Sequence, residues 1–219
     1  MTIRLHCLLS CLAVALLTAT PPSWAADRSA APDPAYVQVT NERARKIVEP
    51  MGLNDTEQAG RVQAIIAQFY RDLNARHTAR DEALAAAKTQ GETDTALVRA
   101  EIALAVTHLH YAFLGQLASE LTPAQVDQVK DGLTYGVVPL TYQVYQDMIP
   151  GLTAEQRRQI HAWLVEAREH AMDAGSSHEK HGWFGKYKGR INNFLSAAGV
   201  DLKQAERDLA QRRQNPSRS

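Results

Sequence analysis

The chain has 219 residues with 24 basic and 24 acidic side chains, so its formal net charge at pH 7 is zero. This balance argues against a nucleic-acid partner and against an anionic membrane surface, because both require a basic field. The two cysteines, Cys7 and Cys11, both lie close to the N-terminus.

The first 25 residues have the three parts of a cleavable signal peptide. Arg4 supplies a positive charge, residues 7–17 form an apolar run too short to span a bilayer, and Ser23-Trp24-Ala25 offers small residues to a signal peptidase. We therefore expect cleavage after Ala25 or Ala26, and a periplasmic or secreted protein without a stable membrane anchor. Because both cysteines leave with the signal, we expect no disulfide, thiolate nucleophile or zinc–thiolate site.

The rest of the chain, about 190 residues, is long enough for one domain with its own core. Residues 26–35 are rich in Ala, Ser, Pro and Asp and predict a flexible leader. Residues 36–210 predict a single helical domain, and residues 211–219 predict a disordered tail.

Helix starts recur along the chain as capping boxes, in which Ser, Thr, Asn or Asp is followed three residues later by Glu or Gln. These pairs are Asn54 with Glu57, Thr122 with Gln125, Thr153 with Gln156, Ser176 with Glu179, and Asp201 with Gln204. Pro50 and Gly52 end a first helix near residues 40–49. Apolar residues at three- and four-residue steps predict a second helix from 54 to about 90. Residues 93–120 are apolar on nearly every face, which predicts the central, most buried helix.

Downstream, Pro139 interrupts the best strand candidate, residues 135–144, and favours a turn with a short helix. Gly175 and Gly199 stand where the C-termini of helices favour a left-handed residue. Since no alternating run is long enough for a sheet, the sequence predicts an all-α, single-domain bundle of six to seven helices.

Residues 166–195, which contain His181-Gly-Trp-Phe-Gly-Lys-Tyr-Lys-Gly-Arg190, resemble a family of exported bacterial proteins, the domain of unknown function DUF3826. Residues 131–142 and 70–74 resemble earlier blocks of the same family. The family has no established activity. Its members are often encoded near polysaccharide-degrading enzymes, so the resemblance implies a carbohydrate context and no particular chemistry. A weaker resemblance, to small periplasmic chaperones, rests on two Leu-Thr-x-x-Gln motifs that helix capping alone explains.

The segment from His178 to Ala198 carries the most informative pattern. On a helix its aromatic and aliphatic residues share one face, and Gly182, Gly185 and Gly189 form a stripe on the opposite face. Each glycine costs ~1 kcal/mol relative to alanine inside a helix. We therefore expect something to approach this glycine stripe closely, either a second helix or a ligand.

The side chains beside the glycine stripe are forked or cationic donors that suit the hydroxyls or carboxylates of a sugar. They are His181, Lys186, Lys188, Arg190, Asn192 and Asn193. Tyr142 and Tyr145, with Tyr135 and Asp147 nearby, add rings suited to sugar faces, an aromatic core seam being the alternative. These residues form the predicted ligand site, with an oligosaccharide as its partner.

Other clusters have simpler explanations. Glu166, His170 and Asp173 share one helix edge and suit either a metal or a local salt bridge. His77 with Arg80 and Asp81 suits a general base or a solvated helix face. We expect no metal and no cofactor, and the sequence leaves the catalytic residues and the oligomeric state open.

Three functions of different classes remain. The first is a carbohydrate-linked binding or accessory module in polysaccharide use, which we favour. The second is a lyase or hydrolase acting on an acidic sugar, with His181 or His77 as base. The third is a periplasmic chaperone-like or structural helical protein.

Overall fold

A computed structural model of the chain describes residues 33–89 and 95–214, so the predicted signal peptide lies outside the described residues. The described residues form eight α-helices and no strand, which confirms the all-α prediction with one or two helices more than expected. The helices are α1 (Pro34–Val48), α2 (Thr56–Thr89), α3 (Ala96–Glu120), α4 (Pro123–Leu133), α5 (Val137–Met148), α6 (Ala154–Met172), α7 (Ser177–Ala197) and α8 (Leu202–Gln214). A short 3₁₀ turn, Glu49–Met51, follows α1.

Side-chain caps set where the helices begin. The predicted capping boxes that start α4 and α6 are both complete. At α2 the cap is Asp55 rather than Asn54, because the Asp55 carboxylate accepts from the backbone N–H of Glu57. Ser176 caps α7 by accepting from the N–H of Glu179. The capping residues in the sequence therefore predicted these helix starts to within a residue or two.

Two groups of buried side chains hold the helices together. The first core lies among α1 to α4 and includes Ile66, Phe69 and Phe113, whose two phenyl rings stack at 4.0 Å. The second core lies among α5 to α8 and includes Phe184 and Ile191. Helix α6 links the two cores, because most of its buried residues belong to the second core while Met172 at its end belongs to the first (Ile160, Leu164, Ala167 and Ala171 in the second).

Helix α3 is not the central helix that the sequence predicted. It packs mainly on α2, with a smaller contact to α4, and three of its 25 residues are buried: His110, Phe113 and Leu117. Large apolar side chains on its other side are exposed, namely Leu97, Leu104 and Tyr111. The prediction was wrong because a helix that is apolar all round does not reveal which of its faces has a partner. Within the described part of the chain, α3 is the one helix long and apolar enough to cross a membrane.

Candidate functional site

A cavity of about 610 Å³ opens where α1, α2, the α4–α5 turn and the start of α7 meet. We call it the main cavity. Residues 70–74, 131–142 and 166–195, which carry the family resemblance, all contribute to its wall. The lining consists of Tyr36, Arg43, Lys46, Ile47, Tyr70, Leu73, Asn74, His77, Gly132, Tyr135, Ala174, Gly175, Ser176, Ser177 and Lys180.

Lys180 is a buried cation in the cavity wall, with 7% of its surface exposed. Its Nζ donates a hydrogen bond of 3.0 Å to the backbone carbonyl of Leu133. No described carboxylate lies within ion-pair distance of Nζ, although Asp173 is near enough to favour the charged form weakly. Burial dominates and lowers the pKa of Lys180 from 10.5 to about 8. The ammonium group has three N–H donors and the Leu133 carbonyl accepts from one of them, so the other two have no described acceptor.

Tyr70 lies between two cations of the cavity. Lys180 Nζ is 5.9 Å and Arg43 Cζ is 5.8 Å from the centroid of its ring, both within cation–π distance. Burial raises the pKa of the Tyr70 hydroxyl to about 12, so this hydroxyl stays protonated and is a hydrogen-bond donor. Tyr36 closes this side of the cavity by donating to the backbone carbonyl of Tyr70 at 3.4 Å.

Tyr135 stands at the mouth of the cavity with 57% of its surface exposed. Its backbone has a φ of 61°, a left-handed conformation that is uncommon for a residue other than glycine. Its ring stacks on the imidazole of His181, with a centroid distance of 5.5 Å. Tyr135 of the α4–α5 turn and His181 of α7 thus present an aromatic pair to solvent beside the buried cation.

The α6–α7 turn lies tightly against α2 through Gly175. A Cβ at this position would be 2.8 Å from Cγ of His77, so only glycine allows the approach. Gly175 does not have the left-handed backbone that the sequence predicted, whereas Gly199 does, with a φ of 85°. His77 Nε2 lies 2.8 Å from the backbone oxygen of Asp173, which only accepts, so Nε2 carries the proton. His77 Nδ1 is buried without a hydrogen-bond partner.

The charged side chains that line the main cavity are all cations. Arg43, Lys46 and Lys180 line the main cavity, and no Asp or Glu is among its described lining residues. Lys46 has a partner, Glu42, at 3.6 Å, but Arg43 makes no ion pair with any described residue. The N-terminus of α7 at Ser177 adds the partial positive charge of a helix end. The site therefore favours an anionic group.

The glycine stripe faces open space. A Cβ at Gly182, Gly185 or Gly189 would meet no atom within 4 Å, so no described helix lies against the stripe and the packing explanation is wrong. Of its flanking cations, Lys186 lies 5.0 Å from the ring of Trp183 and Arg190 lies 4.6 Å from the ring of Trp163. Ligand binding along the stripe stays a prediction.

The remaining predicted residues do not gather into one site. Tyr145 is buried and donates to the Asn192 side-chain oxygen at 2.7 Å, and burial raises its pKa to about 12. Tyr142 makes an edge contact with His161, and Lys188 and Asn193 are exposed. Of the predicted set, Tyr135 lines the main cavity, and His181 comes to its edge by stacking on Tyr135.

The side chains of Glu166, His170 and Asp173 on α6 have separate partners and do not converge on one point. His110 Nδ1 lies 2.9 Å from the Asp173 carboxylate, His170 stacks on Trp183 at 4.4 Å, and Glu166 lies 3.8 Å from Arg190. No group of three His, Cys, Asp or Glu side chains suitable for a metal occurs within residues 33–89 and 95–214.

Sequence reasoning missed the cations and one aromatic of the main cavity: Tyr36, Arg43, Lys46 and Lys180. A signal existed for Lys180. On α7 it precedes Phe184, Tyr187 and Ile191 at helical spacing, so a cation stands on the buried face. A buried lysine on an apolar face is rare and often functional.

Of two comparisons with known proteins, one gives a match. No curated protein matches it significantly. The family described as "Protein of unknown function (DUF3826)" matches residues 37–215, which include nearly all of the described helices and the whole of the main cavity except Tyr36. The chain therefore belongs to the DUF3826 family, whose function is unknown.

Proposed function

We propose that this protein is a carbohydrate-linked binding module that holds an acidic sugar of an oligosaccharide in the main cavity. One observation carries the proposal: three cations line the cavity with no carboxylate among the described lining residues. The carbohydrate context comes from the family resemblance, and the chemistry of the ligand comes from the cavity.

The proposed pose follows from the donors. The sugar carboxylate accepts from the two free N–H donors of Lys180 and from the forked guanidinium of Arg43. Asn74 is placed in the same wall to hydrogen-bond a hydroxyl. The exposed ring of Tyr135, stacked on His181, offers a flat apolar surface to the sugar ring or to the next residue of the oligosaccharide.

The test is calorimetric titration of the protein with oligogalacturonate, and with its methyl ester as a neutral ligand of the same shape. We expect the acid to bind and the ester to bind much more weakly. Because a hydrogen bond to a charged group contributes ~1.5–3 kcal/mol, Lys180→Met weakens binding by about 10- to 100-fold. Arg43→Gln acts in the same direction.

Lys188→Met is the matched control, because Lys188 is an exposed lysine of the same helix outside the main cavity. Loss of binding in this variant, with Lys180→Met unaffected, would move the site to the glycine stripe. Equal binding of the acid and the ester would refute the carboxylate pocket. Absence of binding by any acidic or neutral glycan, with suppression of client aggregation, would favour the chaperone-like function.

A second function, a lyase or hydrolase on the same acidic sugar, is favoured by one observation. The lowered pKa of Lys180, about 8, leaves part of its amine unprotonated near neutral pH, as a general base requires. Product analysis after prolonged incubation with oligogalacturonate separates the two functions. Unsaturated or shortened products that Lys180→Met does not form would identify an enzyme, and intact ligand would leave the binding module.

A further inference from the structure

The outer face of α3 carries three large side chains at seven-residue spacing. Leu97, Leu104 and Tyr111 are 71%, 57% and 68% exposed, and we call them the outer stripe. The face of α3 turned toward α2 carries the buried Phe113 and Leu117. Seven residues are close to two helical turns, so the outer stripe is straight and runs along most of the helix.

The surroundings of the outer stripe fit a close helix contact. Ala100, Ala112 and Gly115 lie beside it and are exposed, and a Cβ at Gly115 would meet no atom within 4 Å. Small residues between large ones allow two helix backbones to approach and their side chains to interlock. Two ionisable residues share this face, Glu101 and His108, and they stand on either side of Leu104.

We propose that α3 packs antiparallel against α3 of a second copy of this chain, across a two-fold axis at Leu104. In this pairing Leu104 meets the partner's Leu104, and Leu97 meets the partner's Tyr111. Glu101 then lies beside the partner's His108, so the two ionisable groups are complementary. A parallel pair would instead separate Glu101 from the partner's His108 by ~10 Å along the helix axis, because the two residues are seven positions apart. A symmetric dimer requires such a self-complementary face.

A second copy explains this face better than a lipid surface. Helices that lie on membranes carry Lys or Arg beside their apolar face, but the one Lys or Arg side chain of α3, Arg99, lies at the helix side turned toward the protein, in a cavity with Ile102 and Val106. A membrane-spanning placement would bury Glu101 and His108 in hydrocarbon. The chain as a whole is also neutral.

The size of the face predicts a weak dimer. Residues 97–115 rise by ~27 Å, and a helix is ~10 Å wide, so the contact covers roughly 270 Å² in projection. Stable interfaces bury ~800 Å² of accessible surface per partner. We therefore expect a dimer that dissociates in the micromolar range or above, visible as a mass that rises with concentration.

Sedimentation velocity over a concentration series provides the first test. Leu104→Glu places two carboxylates on the two-fold axis and should leave a monomer at every concentration. The control is Leu140→Glu on α5, because Leu140 is similarly exposed (67%) and lies on a different helix. A wild-type protein that stays monomeric at several hundred micromolar, or a dimer that persists in Leu104→Glu, would overturn the proposal.

Cysteine cross-linking tests the orientation. The chain from residue 26 onward contains all of the described residues and has no native cysteine. Leu104→Cys should form a disulfide-linked dimer under mild oxidation. Leu97→Cys should not, because its two copies would lie ~21 Å apart, whereas a mixture of Leu97→Cys with Tyr111→Cys should cross-link. Cross-linking of Leu97→Cys with itself would overturn the antiparallel pairing. Sedimentation of a monomer with lipid vesicles, lost in Leu104→Glu, would assign the outer stripe to a membrane instead.

Discussion

Replacing Lys180 with methionine should stabilise the protein at neutral pH. The folded protein holds this ammonium with a pKa of about 8, whereas the unfolded chain holds it at the ordinary 10.5. Since one pKa unit corresponds to ~1.36 kcal/mol, the charge destabilises the fold by about 3 kcal/mol below pH 8. Methionine fills similar space without a charge but leaves the Leu133 carbonyl without its donor, which costs ~1–2 kcal/mol. We expect a net gain of about 1–2 kcal/mol at pH 7.

The pH dependence distinguishes this explanation from better packing. Between pH 8 and 10.5 the unfolded chain binds the proton of Lys180 and the folded protein releases it, so the wild type gains stability as pH rises. Lys180→Met lacks this gain, and its advantage should shrink or reverse by pH 10. Urea unfolding of both proteins at pH 7 and pH 10 measures the difference, in which the other titrating groups cancel. A variant that is less stable at pH 7, or an advantage that does not change with pH, would refute the reasoning.

Other substitutions test the remaining features. Gly175→Ala should destabilise the protein by ~1–3 kcal/mol through its clash with His77, and His77→Ala in the same chain should recover part of that loss in a denaturant double-mutant cycle. Gly185→Ala with Gly189→Ala should raise stability by about 1.5–2 kcal/mol, because both sites are open; a lower melting temperature would contradict this. Arg168→Met should cost about 2–3 kcal/mol, since its buried guanidinium bonds two carboxylates of α4, and a cost under ~1 kcal/mol by urea unfolding would contradict it.

Local signals predicted most of the secondary structure. Helix capping is a contact between residues three apart, so Thr122 with Gln125 and Thr153 with Gln156 are readable without any tertiary information. The break between α4 and α5 was harder to predict. It depends on left-handed backbone at Tyr135 and Gly136 rather than on a residue that must break a helix.

Tertiary position was not readable in the same way. The apolar composition of α3 indicated burial, yet the helix packs on one side and leaves Leu104 exposed. The open glycine stripe failed as a packing prediction for a related reason, because the partner it required is another element whose position the sequence does not give.

The candidate site likewise has residues that the sequence indicated and an arrangement that it did not. The three segments quoted for the family resemblance contain much of the main cavity, including Tyr70, Tyr135 and Lys180. Their convergence depends on helices more than 100 residues apart in sequence coming together. Arg43 and Tyr36, from the first helix, completed the site without any motif of their own.

The position of the main cavity between the two cores has a consequence for cooperativity. The lining from α1 and α2 belongs to the half of the molecule built on the first core, and Lys180 belongs to the half built on the second. Each core is a natural unit of local unfolding, so amide hydrogen exchange should resolve two groups of protected helices with different opening energies. A ligand that bonds Arg43 and Lys180 together would tie these units to each other, and the two exchange regimes would merge into one.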